Sequence, residues 1–478
     1  MLRRRNLFQE RYNRFLTELK NEILSGDLKP GEFILPENTL SQKYKISRVS
    51  IRKALAELVE EGLIEKIPGK GNRVRLPDSE ATRQTLSLTW FSGSYETEIV
   101  REWIRRFEAT HPYVKVELHI LPSDEYATLL AQMIEQGRGP DLFFVSDAHI
   151  RHLEALNKLD LFAPYLPPHL QPERDSYPQL FRMFTYEGEL KAVPIHFSPV
   201  VICYNAALFA AAGITEHRAI RDWDELLELA KRCTSDTNGD GMVDYYGFCL
   251  SASMNRWPVF VLQNGGAFKS EDGTRSVFGS DQNIEALQFC VDLMYKYGVS
   301  PIYSHGSDYL AESLFKKERA AMVLSTYYFM NEFRDTELSW DVLPVPANKS
   351  NGTLLICGAL GINKYSDKQL VAQSLIDYLT SVEAQTVLKR NGCTIPMLRE
   401  VAENDKLLNP RIHPPHYNHF KSVMPYAYSL QDLHLKKSDI DLLYEELHEL
   451  WANLETPAVV CRRIEDLMNG VPNELKTT

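Results

Sequence analysis

No stretch of this 478-residue chain approaches 18 uninterrupted apolar residues, which excludes a membrane-spanning helix. The amino terminus starts basic but has no apolar run behind it. It is therefore not read as a secretory signal, and a cytoplasmic location is expected. Seven cysteines form no Cys-x-x-Cys pair, so reduced thiols are expected and neither a disulfide framework nor a zinc site. Gly-x-Ser-x-Gly, Walker and His-Glu-x-x-His signatures are all missing, and no enzyme is expected. Aromatic residues are plentiful, with 21 Phe, 23 Tyr and 6 Trp, which excludes disorder throughout. The length asks for more than one domain.

The overall charge of −11 hides an asymmetry. Residues 1–77 hold 16 Lys+Arg against 10 Asp+Glu, whereas the remainder holds 37 against 54. A basic head on an acidic body implies that the head meets a polyanion. Within the head, Tyr12, Phe15, Leu16, Leu19 and Ile23 recur at helical spacing, and Gly26 stops that helix. Leu35-Pro36-Glu37 opens a second, short helix. Ser47 caps a third, whose stripe is Ile51, Ala54, Leu55, Leu58 and Val59. Off the stripe lie Arg48, Ser50, Arg52, Lys53 and Glu57; Arg48 and Arg52, four apart, share an exposed face. Two short strands joined by Pro68-Gly69-Lys70-Gly71 follow. Three helices and a basic hairpin make a winged helix-turn-helix, with the third helix sized for the major groove and the hairpin tip for a phosphate backbone.

These stretches resemble the GntR transcription regulators over essentially all of residues 8–76. The resemblance implies DNA contacts from Asn38, Ser47, Arg48, Ser50, Arg52, Lys53, Gly69 and Lys70. Asn38 stands where the family often has Arg.

Residues 78–85 read as a polar linker. From residue 86 strands and amphipathic helices alternate, so the body is α/β with largely parallel sheets. Trp90 to Tyr95, Pro140-Asp141-Leu142-Phe143, Val193-Pro194-Ile195, Trp257-Pro258, Ala320-Ala321-Met322 and Thr394-Ile395-Pro396, in this order, resemble the sugar-type extracellular solute-binding proteins of ABC importers. The fold class expected is thus multidomain, a winged helix-turn-helix (α+β) at 1–77 and a two-lobed α/β periplasmic-binding-protein-like body at 86–478. The resemblance puts one lobe at about 86–194 and 362–405 and the other at about 196–355 and 416–478. It implies a cleft that closes on a ligand, contacted by Ser94, Tyr95, Glu96, Asp147, His149, His196, Ser198, Asn255, Arg256 and Trp257. Tyr327 and Tyr328 fall where the family usually stacks a Trp on a sugar ring.

Asp236, Asn238, Asp240 and Asp244 place oxygens at alternate positions around Gly241, as a calcium loop does, but no Glu stands at the twelfth position. No cofactor is required, and the loop reads either as a Ca²⁺ site or as a polar Asx-rich turn without metal. His413, His416 and His419 recur every three residues, but Pro414 and Pro415 forbid an aligning helix, so a solvated loop is expected. The combined expectation is a homodimeric, ligand-responsive regulator binding operator DNA and a carbohydrate, away from any membrane. Its rivals are a body serving only dimerisation or protein contacts, and a transport binding protein with an incidental head.

Overall fold

The computed structural model describes residues 2–24, 26–75, 83–215, 218–302, 310–334 and 336–471. The 78–85 linker lies mostly outside the described residues. Among these residues no helix is long and apolar enough to cross a membrane.

The head contains α1 (Leu2–Leu24), α2 (Glu37–Tyr44), α3 (Arg48–Glu60) and a hairpin of β1 (Ile64–Ile67) and β2 (Gly71–Val74). Ser47 caps α3 by accepting the Ser50 amide at 3.1 Å. Its stripe of Ile51, Ala54, Leu55 and Leu58 is buried against Phe15 and Leu19 of α1, whereas Val59 faces outward at 38% exposure. The Tyr12 hydroxyl donates to Glu57 at 2.8 Å and fixes α1 to α3. Gly69 and Gly71 sit at φ +76° and +114° in the hairpin turn, which a side chain would strain.

The body opens with β3 (Gln84–Phe91), α4 (Thr97–Thr110), β4 (Val114–Leu121), α5 (Tyr126–Glu135), β5 (Leu142–Ser146) and α6 (Asp147–Ala155). β3 runs parallel to β4 and β5 at the centre of lobe one. Two long strands, Val193–Asn205 and Thr353–Asn363, pair with each other antiparallel. The Thr353–Asn363 strand also lies antiparallel to β5, and Met322–Thr326 and Trp340–Leu343 lie antiparallel to Val193–Asn205. The sheet is therefore mixed, not largely parallel as periodicity implied. The long strands carry the chain from one lobe to the other and back, and a return on the same sheet path is antiparallel. Their pairing slips between Gly358 and Ala359, at the waist between the lobes.

One buried cluster fills lobe two, and another runs along one face of the sheet through both lobes. The third is continuous from the head into lobe one, from Ile23 and Leu63 through Tyr113 and Phe107 to Leu375. At that junction the buried Tyr113 hydroxyl donates to the Leu63 carbonyl at 3.2 Å. The His111 ring, stacked on Phe107 at 4.0 Å, lies directly against Gly26.

Candidate ligand cleft and DNA-binding face

The cleft opens at the carboxyl ends of β3 and β5, where open α/β sheets present their loops. It forms a cavity of about 390 Å³ walled by both lobes. Of the residues expected from sequence, Ser94, Tyr95, Glu96, Asp147, His149, His196, Asn255, Arg256 and Tyr328 line it.

Glu96 follows the turn after β3 and precedes α4. Its carboxylate accepts from the Ser94 hydroxyl at 2.8 Å and from the Thr394 hydroxyl. Thr394 in turn accepts from the Asn331 amide at 2.8 Å, which also donates to the Tyr328 carbonyl at 2.9 Å. A chain of hydrogen bonds thus crosses the floor of the cleft. Asp147 and His149 are placed by the cap of α6. The Ser146 hydroxyl accepts from the His149 amide at 3.2 Å, and His149 Nδ1 accepts from the Ser146 amide at 3.2 Å. With Nδ1 as acceptor, Nε2 carries the imidazole proton. Burial draws His149 down to about 4, so it stays neutral. Burial also raises Asp147, against the pull of Arg151, whose guanidinium lies 3.4 Å away.

His196 sits at the crossing, its ring stacked on Phe144 at 5.6 Å. The Tyr328 hydroxyl donates to the His196 carbonyl at 3.3 Å and lies 3.0 Å from Nδ1. His196 Nδ1–H then points at the hydroxyl oxygen and leaves Nε2 an acceptor, with no partner among the described residues. Burial lowers the His196 pKa, only partly opposed by the Glu96 carboxylate. Phe91 and Phe144 stack at 5.2 Å on one wall, and Tyr95 meets Phe329 edge-on at 6.2 Å on the other. Aromatic faces beside hydroxyl, imidazole and carboxylate groups suit a ring that is apolar on its face and hydroxylated at its rim.

Three expected residues lie elsewhere. Trp257, 1% exposed, packs on Phe268 and Trp451 in the lobe-two core. Tyr327 is fully buried on the far side of the sheet from Tyr328, with its hydroxyl donating to the Tyr417 carbonyl at 2.7 Å. The two tyrosines are neighbours at a strand end, where successive side chains point to opposite faces, so only one can reach the cleft. Ser198 is spent within the sheet, donating to the Pro199 carbonyl and accepting the Tyr327 amide. Conversely, Phe144, Phe329 and Glu312 line the cavity and were not expected. The position of Phe144 at the end of a buried strand was a usable signal. Glu312 carries no such signal.

In the Asp-rich loop the oxygens serve the loop itself. Asp236 accepts the Gly239 and Gly241 amides, Asn238 the Asp240 amide, Asp240 the Met242 amide and Asp244 the Thr237 amide. The described residues hold no group of three or more His, Cys, Asp or Glu side chains placed for a metal ion. The geometry is that of successive Asx turns. The histidine segment is only partly solvated: Pro415 and His416 are exposed, whereas His413 and Pro414 are buried. His413 is buried, bonded to the Asn409 amide at 2.8 Å, and His416 Nδ1 lies 2.5 Å from Asp341.

On the head, Asn38, Ser47, Arg48, Arg52, Lys53, Gly69 and Lys70 are exposed and Ser50 is half-buried. Arg52 Nε donates to Glu37 at 2.7 Å, an exposed pair that costs little to exchange for another partner.

A winged head docked on a two-lobed body with a walled cleft defines a regulator-type chain carrying a binding-protein fold. Residues 93–386, more than half of the chain, match the bacterial extracellular solute-binding protein family, and residues 11–74 match the gntR family of bacterial regulatory proteins. The chain belongs to the solute-binding protein family and bears a gntR-family head. An arabinooligosaccharide-binding protein of Halalkalibacterium halodurans is 26% identical over 251 residues, 50% of this chain and 53% of that protein. The mannosyl-D-glycerate transport/metabolism system repressor MngR of Escherichia coli is 28% identical over 127 residues, 27% of this chain and 48% of the repressor. The chain thus spans about half the length of these curated relatives. An ABC substrate-binding protein of Listeria monocytogenes, solved in complex with cycloalternan, superposes with a TM-score of 0.69 at 23% identity, covering 81% of this chain and 98% of that one. That likeness is one of fold.

Proposed function

We propose that this chain is a cytoplasmic transcription regulator that binds operator DNA as a homodimer and senses a sugar or oligosaccharide in its cleft, repressing genes of carbohydrate uptake or catabolism. The observation that carries the reading is the continuous core joining the DNA-binding head to one wall of a cleft fitted with aromatic rings and hydroxyl-binding groups. The relatives support the two halves: one is named as an arabinooligosaccharide-binding protein, the other as a mannosyl-D-glycerate transport/metabolism system repressor. A dimer reads two half-sites at a set separation, so closing the cleft acts on DNA wherever the dimer contact lets it alter how the heads are presented. To switch strongly, the ligand must favour one state by several kcal/mol.

Arg52→Ala is expected to weaken operator binding by about 1–3 kcal/mol, because a base-contacting guanidinium is lost. Lys70→Ala at the wing tip is expected to weaken specific and random DNA alike and to lower the salt slope by about one charge. Gel-shift titrations at fixed salt check both, and unchanged affinity in Arg52→Ala removes α3 from the groove.

The linked experiment tests the whole reading. Coupling is reciprocal, so operator DNA must change saccharide affinity by the factor by which saccharide changes operator affinity. Tyr328→Ala is expected to keep operator binding and to lose the response, because it removes a cleft ring remote from α3. Equal saccharide affinities with and without operator would end the sensor reading.

A further inference from the structure

The outward face of α3 has an apolar centre. At about 3.6 residues per turn, the buried stripe of Ile51, Ala54, Leu55 and Leu58 points about 170° away from Val49. In the first turn of the helix Val49 is therefore the residue aimed most directly outward, and it is 75% exposed. Arg52 stands about 60° to one side of it and Lys53 about 40° to the other; both are exposed. The hydroxyls of that turn are engaged in the cap: Ser47 Oγ and Ser50 Oγ lie 2.8 Å apart, and Ser50 is half-buried.

A single exposed apolar side chain is ordinary on a protein surface. What marks Val49 is its station. Recognition helices reach base edges with their N-terminal residues, and a β-branched residue adds nothing to helix stability at an exposed site. The valine side chain has neither a donor nor an acceptor. In the major groove the bases display donors and acceptors, and the one methyl group among them is on C5 of thymine. The two cations that flank Val49 draw this face of the helix between the phosphate backbones, which leaves the isopropyl group facing the base edges.

We propose that Val49 is a specificity-determining residue of the head: its isopropyl group packs on a thymine methyl, so that each half-site carries thymine at one fixed position. This rests on the reading of α3 as the helix that enters the groove, and the test separates the two.

The full chain is used to select binding duplexes from a pool with a randomised core. One selected duplex is then remade with each thymine in turn replaced by deoxyuridine, which removes only the methyl group. At one thymine of each half-site this replacement is expected to weaken binding about 4-fold, the worth of one buried methyl group. Val49→Ala is expected to weaken binding to the thymine duplex by a similar factor. In that variant the same deoxyuridine is expected to cost nothing further, because the two changes remove the two sides of one contact. Selection repeated with Val49→Ala is expected to lose the thymine at that position and to keep the rest of the site. Alanine is the better helix former, so an unfolded head does not produce this pattern. Equal deoxyuridine penalties in both proteins, or an unchanged selected sequence, overturn the proposal; a selection that Arg52→Ala still relaxes leaves the reading of α3 standing. If the full chain selects no sequence, the reading of α3 falls and the proposal falls with it.

Discussion

Replacing Glu312 with alanine is expected to destabilise the body by about 3–5 kcal/mol, the cost of leaving a buried charge without its partner. Arg256 is 8% exposed and Glu312 2%. The guanidinium gives two of its donors to a single oxygen of that carboxylate. Without Glu312, only the Leu324 and Asn255 carbonyls would remain to satisfy it. Replacing the pair together, Arg256→Met with Glu312→Leu, is expected to recover most of the loss, because two apolar groups need no counter-charge. Urea unfolding of the body transition measures both. An unchanged midpoint in Glu312→Ala would show that water entering from the cleft already screens the guanidinium.

The second large effect is expected at Gly358. A Cβ there would lie 2.4 Å from His196 Cε1 and 2.6 Å from two atoms of the Phe144 ring. Gly358 pairs with both Ser146 and His196 at the point where the long strands slip register, so neither backbone nor rings can retreat freely. Gly358→Ala is expected to cost about 1–3 kcal/mol through overpacking. It is also expected to abolish saccharide binding by pushing both rings into the cleft, while operator binding by the distant head persists. Gly93→Ala is the contrast: nothing lies within 4 Å of its added carbon, so only its φ of +79° resists the change. Comparable saccharide affinity in Gly358→Ala and the unchanged chain would refute this account of the cleft floor.

The head was legible because its signals are local. A serine cap, a helical stripe and a glycine-bearing turn each act within a few residues, and the helices and hairpin formed where those residues stand. The cleft was legible only where a loop follows a strand, as at Ser94–Glu96 and Asp147–His149. Tyr327 and Tyr328 look alike in sequence, and the sheet decides that one is core and the other cleft. Trp257 reads equally as a stacking face or a core ring, and contacts with Phe268 and Trp451, far along the chain, decide it. Glu312 was illegible because its role comes from Arg256, 56 residues away. Val59 sits on the helical stripe by spacing, yet it is exposed in the fold.

The core shared by the head and lobe one fixes a frame of reference. A head bonded through Tyr113 to Leu63 and packed at Gly26 on His111 moves as lobe one moves. Seen from the DNA, closing the cleft is then a swing of lobe two alone. A dimer gripped through lobe one would hold its two heads at the same spacing whether the cleft is open or shut. A dimer gripped through lobe two would turn each closure into a displacement of both heads, the full swing delivered at the half-sites. On the proposed reading, the lobe that carries the dimer contact therefore decides whether closure is felt at the half-sites.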